Sequence, residues 1–120
     1  MKKGVRTNLL YLEDIQISME RISHYIEGYD LPSFRRDIKT VDAVIRNFEI
    51  IGEASKNLSE ELKKMNPEMP WEEMYYLRNR VMHEYFGIDY EIIWDIATRY
   101  LPDNKILIDR ILKKLKSSNN

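Results

Sequence analysis

From Asn8 to Glu27 the apolar positions Leu12, Ile15, Met19, Ile22 and Ile26 fall at steps of three, four, three and four, the repeat of one buried helical face. Gly28 is placed to stop this helix, Pro32 marks a connector, and Ser33 can cap the next helix. The pattern resumes at Phe34 and runs to about Asn57, with Ile38, Val41, Val44, Ile45, Phe48, Ile51 and Ser55 inward. At 1.5 Å per residue that rod is roughly 35 Å long. Gly52 lies inside it at a cost of about 1 kcal/mol relative to alanine, and with Ala54 and Ser55 beside it the reading is a close helix–helix approach. Ser59 and Leu62 begin a short polar helical turn. The run Asn66-Pro67-Glu68-Met69-Pro70 then breaks the pattern twice and reads as a loop.

Pro70-Trp71-Glu72-Glu73 opens a third helix, with proline at the start and acids in the first turn, where the helix dipole favours them. Trp71, Met74, Leu77 and Val81 form its apolar face, which makes Trp71 a core anchor before a base-stacking platform. Gly87 interrupts the pattern. Asp89 then caps a fourth helix from Tyr90 to Leu101, with Ile93, Ile96, Ala97 and Tyr100 inward. Pro102 starts a last segment carrying Ile108, Ile111, Leu112 and Leu115, and a polar tail begins at Lys116. The expected fold is all-α: an up-and-down bundle of four main helices plus a short fifth segment, one domain over residues 1–120, ordered from about 8 to 115.

Composition narrows the classes. The 120 residues are 43% hydrophobic and 32% charged with four glycines and four prolines, which suits a folded helical protein. The absence of cysteine excludes disulfides and Cys-ligated metal centres, and no apolar run approaches a membrane span, so a cytoplasmic location with no membrane partner is expected. A formal net charge of −1 argues against extended groove binding on DNA. It leaves room for a small cleft in which a few arginines meet RNA phosphates.

The candidate chemistry lies between Tyr76 and Tyr90, where Arg78, Asn79, His83 and Tyr85 occur together. A histidine is the side chain suited to proton transfer near neutral pH, and arginine is a fixed cation with a fork of donors for phosphate. On a continuous helix Asn79 shares the face of His83 and orients the imidazole, whereas Arg78 lies about 140° away. At that separation the two converge only through the long arginine side chain, a helix break or a second copy, a geometry that favours an oligomeric site. Together the two suggest phosphate chemistry, which needs a base, an acid and positive charge for the transition state, and a two-fold dimer supplies two His83 and two Arg78. No metal or cofactor is expected, since His83-Glu84 lacks the second histidine of H-E-x-x-H. His24, Glu53 and the basic last helix (Lys105, Arg110, Lys113, Lys114, Lys116) receive no role.

Arg78-Asn79-x3-His83-x-Tyr85 resembles the R-x4-H-x-Y signature of the HepT-like proteins of the HEPN superfamily. Ile51-Gly52-Glu53-Ala54, Pro70-Trp71, Tyr85-Phe86-Gly87-Ile88-Asp89 and Trp94 look like that family's further landmarks in the same order, so the likeness spans roughly Asn8 to Leu115. It implies a homodimeric ribonuclease toxin using paired R-x4-H motifs. It also implies a partner, an MntA-like minimal nucleotidyltransferase that silences the toxin by attaching AMP to the motif tyrosine, here Tyr85. The alternative is a non-catalytic, nucleotide-binding partner subunit of such an enzyme.

Overall fold

The structure, a computed structural model, describes residues 3–118 except Arg78, Arg80, Val81, Glu84, Tyr85 and Phe86; of residues 3–6, 82, 83 and 118 it describes the backbone alone. Helix α1 spans Lys3–Tyr25, α2 Leu31–Arg36, α3 Ile38–Asn57, α4 Glu60–Met65 and α5 Trp71–Tyr75. Two-residue strands β1 (Met82–His83) and β2 (Gly87–Ile88) come next, then α6 (Tyr90–Asp95), a π turn (Ile96–Tyr100) and α7 (Leu101–Ser118). The all-α expectation holds, with this small ladder added.

The first helix buries the face its spacing predicts: Leu12, Ile15 and Ile22 are fully buried and Met19 nearly so. Gly28 ends the connector's first turn at φ +81°, a conformation that L side chains rarely adopt. Two expectations about the next stretch are corrected. The cap is Asp30, whose carboxylate accepts from the Ser33 backbone N–H at 2.9 Å while the Ser33 hydroxyl takes the Asp30 N–H at 3.0 Å. The single rod expected from Phe34 to Asn57 is also two helices, because Asp37 closes α2 and caps α3, accepting from the Thr40 N–H at 3.2 Å. The Asp37 carboxylate is further held by the Tyr29 and Thr40 hydroxyls. Ile38, now the first residue of α3, is 69% exposed and not inward. Val41, Val44, Ile45, Phe48, Ile51 and Ser55 are buried as expected.

Asn8 donates to the Ser59 hydroxyl and accepts the Ser59 N–H, both at 2.9 Å, which ties the start of α1 to the end of α3 and makes the two helices antiparallel. Ser59 in turn caps α4 through the Leu62 N–H. Helix α7 runs back along α1 and is fastened there by Gln16–Asp109 at 2.7 Å, Lys105–Glu20 at 3.6 Å and Lys116–Glu13 at 4.0 Å. Lys105 and Lys116 of the basic last helix are thereby committed to α1. One apolar core joins Ile15, Phe34, Phe48, Met74, Ile93 and Ile108 from six elements.

The helix break expected at Pro102 is absent. Residues 90–118 form one helical rod, and Leu101 donates back five residues to Ile96 across the π turn. Proline has no N–H to return to the preceding turn and its ring crowds that turn, and the wider π geometry just before Pro102 accommodates both effects. The extra residue also shifts the apolar stripe. Leu101 is buried in the place expected of Tyr100, which is 50% exposed.

Gly52 has the packing reason its position implied. A Cβ there would stand 2.8 Å from the Tyr75 carbonyl oxygen, so the last turn of α5 rests directly on α3. Gly52→Ala forces that backbone away at an overpacking cost of typically about 1–3 kcal/mol, against which alanine's helix preference returns only about 1. A Tm lowered by a few degrees is the expected outcome, with changed amide shifts at Tyr75 and Tyr76 in heteronuclear NMR. A raised Tm would mean that α5 retreats at no cost.

Candidate active site

Helix α5 ends at Tyr75, and Tyr76 sits at φ −92°, ψ 12° with its N–H directed to the Glu72 and Met74 carbonyls. Beyond it Leu77 and Asn79 have helical backbone; Leu77 is buried and Asn79 is exposed. Met82 and His83 are then extended, paired antiparallel with Ile88 and Gly87 respectively. Gly87 takes φ +82°, which explains a glycine at this point. Helix α6 begins at once, with the Asp89 carboxylate accepting the Ile92 N–H at 3.1 Å, as its sequence position predicts.

This arrangement corrects the expected geometry of the motif. Helical spacing puts Asn79 and His83 on one face of a continuous helix, whereas His83 is on a strand. The angular separation of Arg78 from His83, calculated for the same helix, no longer applies. The physical reason lies in residue type: Val81, Tyr85, Phe86 and Ile88 are β-formers, and Gly87 breaks helices. Arg78, Tyr85 and Val81 lie outside the described residues, as does the side chain of His83. The site therefore stands on its frame: α5 resting on Gly52 at one end, the β1–β2 ladder and the Asp89 cap at the other.

Two aromatic contacts brace that frame. Trp94 of α6 meets Phe34 of α2 with ring centroids 5.3 Å apart, and the Arg35 guanidinium stands 5.0 Å over the Tyr90 ring. Arg35, beside the start of α6, is a cation that sequence reasoning missed; nothing in the local spacing links it to residues 55 positions onward. Trp71 is a half-buried core anchor, as expected, with its indole N–H donated to the Asn66 carbonyl at 2.9 Å. Tyr75 and Tyr76 are both exposed and in contact, ring centroids 4.6 Å apart.

His24 and Glu53 have surroundings of their own. His24 pairs with Glu27 at 3.2 Å on the surface of α1. Glu53 lines a groove of 360 Å³ with Tyr11, Asp14, Arg46 and Glu49, between α1 and α3. The shifted carboxylates are structural. Asp37 is held below the usual carboxylate range by the Tyr29 hydroxyl and then by Thr40, while Asp109 is pushed up by burial but lowered on balance by hydrogen bonds from Gln16 and Lys105. Among the described residues no group of three or more His, Cys, Asp or Glu could hold a metal ion, and no helix is long and apolar enough to cross a membrane.

A family model described as ribonuclease HepT-like matches residues 15–111. Similar proteins include one from Methanocaldococcus jannaschii named "Putative RNase MJ0127", 41% identical over 98% of this chain and 95% of its own. Another, from Thermococcus cleftensis and named "Probable ribonuclease HepT", is 39% identical over 90% of this chain and 98% of its own. A third, from Caldanaerobacter subterraneus and named "Putative RNase TTE0752", is 35% identical over 93% of this chain and all of its own. No solved structure matches significantly.

Proposed function

Because the chain belongs to the ribonuclease HepT-like family, we propose that it is a toxin-type endoribonuclease that cleaves RNA without a metal, at a site shared by two copies of the chain. The observation that carries this reading is the family match across residues 15–111, which takes in the whole Arg78–Tyr85 motif. His83 acts as general acid or base on the 2′-hydroxyl and the leaving oxygen, and Arg78 stabilises the charge gathering on the phosphate. Asn79, exposed on helical backbone at the start of the motif, is open to the imidazole or to substrate.

The number of reacting groups calls for a homodimer. Two protons must move, one chain offers one motif histidine, and its other histidine, His24 on α1, is paired with Glu27. A partner nucleotidyltransferase of the minimal MntA-like class completes the proposal, with Tyr85 as the residue it modifies.

The experiment is cleavage of single-stranded RNA by the purified protein in EDTA, with light scattering on the same sample. Cleaved strands ending in 2′,3′-cyclic phosphate or its hydrolysis products are expected, together with a dimer mass. Cleavage that stops in EDTA removes the metal-free mechanism, and a monomer that cleaves removes the shared site.

A further inference from the structure

The described surface carries two sizeable grooves of opposite character. The groove between α1 and α3 has three acids, Asp14, Glu49 and Glu53, against Arg46. The other, 480 Å³, lies where the end of α3, α4 and the start of α5 meet. It is lined by Lys56, Lys63, Lys64, Trp71 and Tyr75, with Glu60 and Glu72 as its acids. Glu60 is engaged by Lys63 at 3.7 Å. Lys56 and Lys64 are exposed and have no carboxylate within salt-bridge distance among the described residues. On a chain whose formal charge is −1, this is a local surplus of cation beside two aromatic side chains.

Its position gives the chemistry a direction. Tyr75 is 40% exposed and belongs both to this groove and to the tilted ring pair with Tyr76 that leads into the motif. Three Cα steps of about 3.8 Å place Tyr75 within roughly 11 Å of Arg78 at Cα. Tyr75 is also the residue whose carbonyl rests on Gly52, so the backbone that carries the ring is held against α3. An aromatic ring on a fixed backbone, with lysines alongside, is the pairing by which proteins hold single-stranded nucleic acid: bases stack on the ring and phosphates meet the cations.

Resting on the ribonuclease reading, we infer that this α4–α5 groove is a substrate subsite, which receives the single-stranded RNA flanking the scissile phosphate. A base stacks on Tyr75, and Lys56 and Lys64 neutralise backbone phosphates. Trp71 forms the floor, its indole N–H already used by Asn66 and so not open to base reading. The subsite accordingly takes any base with a free face, and it excludes duplex RNA, whose bases have none to offer.

The test uses the full chain and a labelled single-stranded RNA methylated at every 2′-hydroxyl, so that binding is read without cleavage. Tyr75→Ala is expected to weaken binding on the order of tenfold, and Tyr75→Phe, which keeps the ring, to restore it. Lys56→Gln with Lys64→Gln lowers affinity and flattens the dependence of log Kd on log salt by about 0.7 for each phosphate that is no longer neutralised. On cleavable RNA the same variants raise KM and leave kcat at the wild-type level. Binding and KM that are unchanged in both variants overturn the subsite, as does a wild-type protein that binds duplex as well as single strands. A wild-type protein that binds the methylated RNA through these residues yet cleaves no RNA overturns the ribonuclease reading and leaves the subsite standing.

Discussion

Substituting His83 by alanine is expected to lower RNA cleavage by roughly a hundred- to ten-thousand-fold, the range that a positioned acid or base contributes. Helicity should not change, because the residue lies in a two-residue ladder and not in a helix. Arg78→Ala removes the charge that meets the phosphate and should cost on the order of a hundredfold or more. Arg78→Lys keeps the charge but loses the planar fork, so it falls between wild type and alanine. A shared site adds a signature that a site within one chain lacks. When His83→Ala protomers are exchanged into wild type, mixed dimers form and activity drops more steeply than simple dilution predicts. Strict proportionality to the wild-type fraction would place all reacting groups in one protomer. Full activity in His83→Ala would remove the histidine from the mechanism altogether.

How much of this is legible in the sequence depends on how local each cause is. The buried faces of α1 and α3 are, because a step of three or four residues is a property of the chain itself. The cap Asp89 and the helical turn that starts at Ser59 are legible because their signals are local too. The break at Asp37 is not: its carboxylate is held by the Tyr29 hydroxyl from the preceding connector as well as by Thr40, and a Ser-Phe-Arg-Arg run offers no local stop. The π turn escapes because Pro102 reads as a start signal, and only the register of buried residues on both sides reveals an unbroken rod. Gly52 is recognisable as a close approach, but which backbone approaches it emerges only with the fold.

The site divides along the same line. Arg78, Asn79, His83 and Tyr85 stand within eight residues, so their chemistry and their likeness to a family are visible in one stretch. Their geometry is not, since helix and strand compete there and the ladder to Gly87 decides for strand at His83. The groove of Lys56, Lys64 and Tyr75 draws on three elements and has no signature in spacing. Arg35 reaches Tyr90 only because Phe34 and Trp94 bring α2 against α6.

Co-expression with a minimal nucleotidyltransferase of the proposed class should convert the protein to an inactive form that carries AMP on Tyr85. In that step the phenol oxygen attacks the α-phosphorus of ATP. A phosphodiester bond forms, pyrophosphate leaves and the phenolic proton passes to solvent. Inactivation then results from charge and occupancy. Tyr85 is two residues from His83, so an attached AMP brings a negative phosphate and a purine to the region where RNA phosphate and base must sit. Arg78 then has an anion to hold that is not substrate. No refolding is required. Intact mass after co-expression should show AMP-sized increments on the wild type and none on Tyr85→Phe, which also remains an active ribonuclease in the presence of the partner. Increments that persist in Tyr85→Phe would move the acceptor to another exposed tyrosine such as Tyr75, Tyr76 or Tyr100. An AMP-loaded protein that still cleaves RNA at the wild-type rate would sink the mechanism even with the acceptor correctly assigned, because a bound nucleotide in the cleft cannot leave the phosphate site open.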